Sequence, residues 1–159
     1  MASHKPNRFF IKLISSFFYL GYLPVIPGTL SSLAGVGIFF LIQNNPALYA
    51  FLFFSLLILG FLTSGEAEKV FQAKDARYIV IDEICGMLLG LAFLPFSHRL
   101  VWMAFLLFRL LDALKPYPAD KLQNLRGSLG VMSDDLVAGL YTNVILQFVV
   151  WRLPSLRIS

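Results

Sequence analysis

Residues 79–90 read "IVIDEICGMLLG", with Asp82 and Glu83 side by side at the start of an apolar run. Adjacent carboxylates repel each other and are costly to desolvate unless a positive charge lies between them. The same difficulty returns at Asp112 and at the doublet Asp134–Asp135. An acid at a helix start is ordinarily stabilised by the helix dipole and the free N–H groups there. That accounts for one acid per helix, but not for two doublets, nor for Asp112 at a helix end, where the dipole disfavours it. A Mg²⁺ site accounts for all three clusters, because Mg²⁺ takes hard oxygen ligands from a few carboxylates, water and phosphate. The expected metal ligands are Asp82, Glu83, Asp134 and Asp135, with Asp112 joining them in the catalytic group.

Two further stretches suit a phosphate. "PVIPGTLSSLAG" is a Pro-Gly break running into a helix start, with the hydroxyls of Thr29, Ser31 and Ser32 beside the positive end of the dipole. A capped helix after a turn reads the same way. In "FRLLDALKP", Arg109, Asp112 and Lys115 lie three apart, which sets two cations and an acid on one helical face. Next to a metal site, Arg109 and Lys115 become phosphate-binding cations.

These residues need elements to bring them together. Asp82, Gly86 and Gly90 share one helical face, as do Asp135 and Gly139. A glycine one turn inside each acid lets a neighbouring helix approach closely. Five apolar segments are expected at about 29–43, 47–64, 80–95, 99–114 and 134–153, all helical by length and composition. Several are short: fifteen residues reach about 22 Å, against a hydrocarbon core of about 30 Å. Tilted or re-entrant helices follow, and the first segment either spans or dips in.

The composition explains such apolar helices. Apolar residues make up 58% of the 159, only 14% are charged, and no charged residue or histidine lies between Leu13 and Gly65. A soluble domain carries roughly 25% charged residues, so a bilayer is the expected environment and a soluble helical bundle the lesser alternative. The net charge of +4 then suits anionic lipid. No basic run interleaved with aromatics appears, which argues against nucleic-acid binding. The lone Cys85 is expected as a small buried residue. Near the N-terminus, Phe10, Leu13, Ile14, Phe17 and Gly21 fall on one helical face, and Arg8, Lys12, Ser15, Ser16 and Tyr19 on the other. That pattern predicts an amphipathic helix lying in the membrane interface.

The expected fold is therefore an all-α, polytopic membrane bundle of one domain over residues 1–159. It comprises an interfacial helix within 1–22, a core over 23–153 with about four to five membrane helices, and a tail at 154–159. Alternating the segments across a membrane puts all nine acids on one side. Ten of the thirteen bases join them, and only Arg99, Arg152 and Arg157 lie opposite. The positive-inside rule makes the acidic side cytoplasmic.

Three blocks, "PGTLSSLAG", "KDARYIVIDEICGM" and "FRLLDALKPYPADKLQNLRGSLGVMSDDLVAG", resemble the bacterial phosphatidylglycerophosphatase A family, in order and in spacing, from Gly21 to about Leu146. Asp82 and Glu83 match the family's I-D-E, Asp112 and Lys115 its D-x-x-K-P, Asp134 and Asp135 its D-D-x-x-A-G, and Thr29 and Ser32 its P-G-T-x-G-S. Ser31 stands where the family usually has glycine, Ala76 where a proline often follows the aspartate, and Ser128 where the last loop usually has a second glycine. The resemblance implies a Mg²⁺-dependent phosphatase of the bacterial inner membrane, with its site on the cytoplasmic face. Its substrate would be phosphatidylglycerophosphate, and the product phosphatidylglycerol.

Two routes fit these residues: a metal-activated water attacking phosphorus, with one or two ions, or an aspartyl-phosphate formed on one of the doubled acids. No Cys-x₅-Arg run is present, and His4 and His98 lie away from the acids, so a cysteine or histidine nucleophile is not expected. The rival reading is a small membrane cation transporter or channel. Against it, the acids gather at one face, with nothing comparable at mid-membrane. The number of subunits is left open.

Overall fold

The computed structural model describes residues 7–153 and Leu156. His4 and the remainder of the expected tail lie outside them. Seven α-helices follow in order: α1 Arg8–Ser15, α2 Pro27–Ile42, α3 Pro46–Phe71, α4 Ile81–Leu91, α5 His98–Leu114, α6 Ala119–Leu122 and α7 Ser128–Arg152. A 3₁₀ turn, Leu20–Tyr22, lies between α1 and α2, and no strand occurs among the described residues.

The helix starts follow local chemistry. Pro27 and Pro46 stand in the first turns of α2 and α3, where a missing N–H costs nothing. The Asn45 side chain accepts from the Leu48 N–H at 3.1 Å, capping α3. From there α3 runs to Phe71, seven residues beyond the expected end at Ser64, so part of the anticipated polar loop is helix. The loop expected from Lys115 to Ser133 is also interrupted, by α6 and by the early start of α7 at Ser128. Asp134 and Asp135 therefore lie in the second turn of α7 rather than opening it.

Helix α4 sits at the centre. Of its 11 residues, all but Glu83 and Leu89 are buried. Val36 and Phe39 of α2, Ala104 and Phe108 of α5, and Ala138 and Leu146 of α7 pack around it in one cluster. Ile11 of α1, Ala67 of α3 and Met132 of α7 form a second cluster with its Ile81 and Cys85. The buried Cys85 agrees with its expected role as a small core residue.

Helices α4 and α7 cross in close backbone contact. A Cβ added at Gly139 would lie 2.2 Å from the Gly86 carbonyl oxygen, and one at Gly86 would lie 2.6 Å from that of Asp135. Only glycine allows backbones this close.

At about 16 Å, α4 covers half a hydrocarbon core. Its last carbonyls would be orphaned in an apolar interior, and neighbouring side chains supply the donors. Asn143 Nδ2 donates to the carbonyls of Gly90 at 3.2 Å and Ala92 at 2.6 Å, and Gln147 Nε2 to that of Phe93 at 3.2 Å. The Tyr49 hydroxyl donates to the Leu88 carbonyl.

The outer faces are apolar. On α3, Phe51, Phe54, Ile58 and Leu62 form an exposed stripe at helical spacing; Trp102, Leu106 and Leu110 do the same on α5, and Leu140, Val144 and Phe148 on α7. Exposed apolar stripes of this extent suit lipid rather than water. Two helices, α3 and α7, are long and apolar enough to cross a membrane. Only 17% of the apolar window of α3 is buried within the protein, unlike the core helix of a soluble domain.

The N-terminal helix departs from expectation. It ends at Ser15, because Phe17, Phe18 and Tyr19 all take left-handed backbone angles. Its inward residues are Ile11 and Ser15, while Phe9 and Phe10 are exposed. Ser15 and Ser16, placed on the solvent face by the helical pattern, are buried: the Ser15 carbonyl accepts the Val80 N–H at 2.9 Å, and Ser16 Oγ accepts the Tyr19 N–H at 3.1 Å.

Two substitutions test this packing. Asn143→Leu leaves two buried carbonyls unpaired, at about 1–3 kcal/mol each, and should clearly lower the unfolding temperature in detergent. Gly139→Ala forces two backbones apart, at about 1–3 kcal/mol, and should lower it similarly. Unchanged thermal unfolding in either variant would contradict the corresponding contact.

Candidate active site

The first turn of α4 supplies Asp82 and Glu83, and α7 supplies Asp135. Because Gly86 lies against the Asp135 carbonyl, the α4–α7 crossing sets these acids opposite one another. One carboxylate oxygen from each of Asp82, Glu83 and Asp135 can be chosen such that all lie within 4.8 Å of one another. Asp82 and Asp135 are buried and Glu83 is half-buried. Asp82 Oδ1 and Glu83 Oε2 are buried with no hydrogen-bond partner. Orphaned anionic oxygens this close demand a cation or protons. Opposed ligands of one Mg²⁺ stand about 4.2 Å apart, so the cluster fits such an ion after a small side-chain movement.

The acids line a cavity of about 250 Å³. Asp112 and Asp134 line it too, but each is engaged by a cation. Arg109 donates to Asp112 Oδ2 at 2.8 Å, and Lys115 to Asp134 Oδ2 at 2.5 Å. The three-acid group thus contains Asp135 and not Asp134, which was expected beside it. Asp112 stands at the C-terminal end of α5, where the dipole opposes an anion, and the Arg109 pair offsets this. Burial alone would lower the Lys115 ammonium, but the hydrogen bond and charge of Asp134 outweigh it and hold the group above its ordinary value.

Helix α2 points its N-terminus at the same cavity. Pro27 and Gly28 line it, and no side chain caps the helix. A Cβ on Gly28 would lie 2.3 Å from Glu83 Oε1 and 3.5 Å from an Arg109 guanidinium nitrogen, so the bare backbone closes over both. The three expected hydroxyl residues behave differently. Ser31 Oγ donates to the Pro27 carbonyl at 2.7 Å and Ser32 Oγ to that of Gly28 at 3.0 Å, both buried within their own helix. Neither lines the cavity, and nor does Thr29. The Pro-Gly break presents backbone rather than hydroxyls.

Sequence reasoning missed Asp75 and Arg77, which complete the cavity from the α3–α4 loop. The available signal was their place in "KDARYIVIDE". Asp75 has a left-handed φ of 47°, and its N–H is held at 2.8 Å by Glu68 Oε1. Its carboxyl titrates above the usual range, first through desolvation in the cleft and then through the charge of Asp134, with Lys115 acting the other way.

The profile of the family "Phosphatidylglycerophosphatase A" matches residues 13–150. A phosphatidylglycerophosphatase A of Escherichia coli is 34% identical over 146 residues, covering 89% of this chain and 84% of the relative. The Haemophilus influenzae protein of the same name is 34% identical over 152 residues, covering 90% and 91%. A putative phosphatidylinositol-3-phosphatase of Bacteroides thetaiotaomicron is 31% identical over 156 residues, covering 92% and 98%. No solved structure matches the chain. The match spans nearly every helix described above and includes all the acids gathered at the cavity: the chain belongs to the phosphatidylglycerophosphatase A family.

Proposed function

We propose that this protein is a Mg²⁺-dependent phosphatase that removes the terminal phosphate of phosphatidylglycerophosphate, leaving phosphatidylglycerol and inorganic phosphate. The observation that carries the reading is the clustered trio of Asp82, Glu83 and Asp135, with two buried, unpartnered oxygens, in a chain of this family. These three residues would hold the ion. When bound, Mg²⁺ supplies charge neutralisation at the phosphate and a more acidic water.

The other residues act on the substrate directly. Arg109 and Lys115 lie at the cavity on fixed partners, so they can donate to phosphoryl oxygens as negative charge develops. The open N-terminus of α2 at Gly28 adds dipole and N–H groups on the same side. Water attacks phosphorus, the bond from phosphorus to the glycerol oxygen breaks, and that oxygen takes up a proton. A cation pathway finds less support: the cavity at the other end of the helices is lined by Phe39, Phe53, Leu94 and similar residues, without an acid.

In this reading the lipid lies in the cytoplasmic leaflet of the bacterial inner membrane. Helices α3 and α7 span it, and α5 and α2 cross with tilt. The short α4 enters from the cytoplasmic side, and Leu89 and the following Ala92 reach the apolar cavity at the other end. The crossings of α3, α5 and α7 rest on their outward apolar stripes, and that of α2 on its apolar composition over 16 residues.

Activity should vanish in chelator and return with Mg²⁺. Asp82→Asn, Glu83→Gln and Asp135→Asn should each lower the rate roughly a hundredfold or more, while Glu66→Gln and Asp120→Asn change little. Phosphate release from phosphatidylglycerophosphate, with phosphatidylinositol 3-phosphate in parallel, measures both the effect and the substrate. Full activity in stripped enzyme would defeat the metal site, and preference for the inositol lipid would defeat the substrate assignment.

Topology is tested with single cysteines at Arg126 and Asn44, both exposed, in a Cys85→Ala background. An impermeant thiol reagent outside cells with an opened outer membrane should label position 44 and spare position 126. Labelling at 126 would place the cavity on the wrong side.

A further inference from the structure

One cation at the cavity has no partner in the scheme above. Arg109 and Lys115 are each tied to a carboxylate, whereas Arg77 makes no ion pair among the described residues. Its side chain is exposed at the edge of the cavity, with the guanidinium 5.4 Å from the centre of the Tyr78 ring. Tyr78 in turn packs on Tyr22 at 4.8 Å and Phe71 at 5.2 Å between ring centres. Gly21 presses against the Tyr78 carbonyl so closely that a Cβ there would lie 2.2 Å from its oxygen. These contacts fasten the Arg77 loop to residues 17–26, where Phe18, Val25 and Ile26 are 73%, 64% and 59% exposed. The exposed apolar segment runs through Ile26 into Pro27 and Gly28 at the cavity, and the aromatic cluster ties Arg77, which also lines the cavity, to that same segment.

We propose that Arg77 binds the internal phosphodiester of the lipid, forming a second anion subsite beside the cavity; this assignment rests on the substrate reading above. Phosphatidylglycerophosphate carries its groups in a fixed covalent order: acyl chains, phosphodiester, glycerol, phosphomonoester. With the acyl end at the exposed apolar segment and the monoester in the cavity, the diester comes to the cavity's edge, which the exposed Arg77 lines. A guanidinium presents a planar fork of donors that matches phosphate oxygens. The Tyr78 face beneath steadies it without neutralising it, and no carboxylate has to be displaced. Because the diester is not bonded to the reacting phosphorus, its grip is equal in ground and transition states, so it acts on KM rather than kcat.

The test compares wild type, Arg77→Ala and Arg77→Lys in mixed detergent micelles. Three quantities are measured: KM and kcat for phosphatidylglycerophosphate, inhibition by phosphatidylglycerol (which keeps the diester and lacks the monoester), and inhibition by inorganic phosphate. Arg77→Ala should raise KM roughly tenfold and weaken phosphatidylglycerol inhibition by a similar factor, as expected for one lost charged hydrogen-bond partner. It should leave kcat and inhibition by inorganic phosphate unchanged, with Arg77→Lys intermediate. Equal weakening of both inhibitors, no change in either, or a fall in kcat alone would overturn the Arg77 assignment while leaving the substrate reading intact. Wild-type enzyme that releases no phosphate from phosphatidylglycerophosphate would overturn that reading and this subsite with it.

Discussion

The rest of the structure depends on the contact of α4 with α7 across Gly86 and Gly139. A Cβ on either glycine would collide with a carbonyl of the opposite backbone. Side chains at a helix crossing can give by changing rotamer, but backbone cannot. The crossing therefore has one permitted separation, and Asp82 and Glu83 on one helix face Asp135 on the other at that separation. An acidic cluster on two helices is held together here by the absence of side chains one turn deeper. The glycines offset, by close van der Waals contact, part of the repulsion that the carboxylates would otherwise use to drive the helices apart.

A buried helix that begins and ends against apolar neighbours creates two polar problems. At its N-terminal end α4 has free N–H groups and a positive dipole, and it carries two carboxylates there, which the dipole favours. At the C-terminal end it has free carbonyls, and Asn143, Gln147 and Tyr49 donate to them. With the second problem answered by protein side chains, the first is left open to the cavity, where ligand chemistry can use it. The N-terminus of α2 reaches the same cavity without a capping side chain, so two positive helix ends converge on one region dense in carboxylates. Arg109 and Lys115 divide the surrounding acids into paired and unpaired groups. Asp112 and Asp134 are neutralised locally, which leaves Asp82, Glu83 and Asp135 as the set still in need of positive charge.

Much of this was legible in the sequence, and the limits are physical. A chain with 58% apolar residues and a charge-free run from Leu13 to Gly65 has too little polar surface for a water-facing shell, so the all-α, lipid-suited architecture followed from composition. The small-residue spacing at Gly86, Gly90 and Gly139 marked the face of closest approach, because helical periodicity is a local property. The convergence of acids at one end followed from alternating the apolar segments. Helix ends were less legible: α3 continues through Gly65, Glu66 and Glu68 because Ala67 and Val70 still have a core to pack against, which polarity alone does not reveal.

What only tertiary structure decided was partnership. The sequence determined which residues carry charge and on which helical face each lies, since 3.6-residue periodicity fixes direction within one helix. It could not decide that Lys115 takes Asp134 and leaves Asp135 to the trio, because adjacent residues on α7 point about 100° apart and the helix's rotation is set by its neighbours. It assigned Ser31 and Ser32 to the cavity by their chemistry, while packing turned them onto their own helix carbonyls and brought forward the bare backbone of Gly28. Asp75 and Arg77 belonged to a loop without periodicity, so no local rule gave them a direction. Their place at the cavity comes from the Glu68 bond to the Asp75 N–H, which reaches back to the end of α3, and from the Tyr22–Tyr78 packing, which joins segments far apart in the chain.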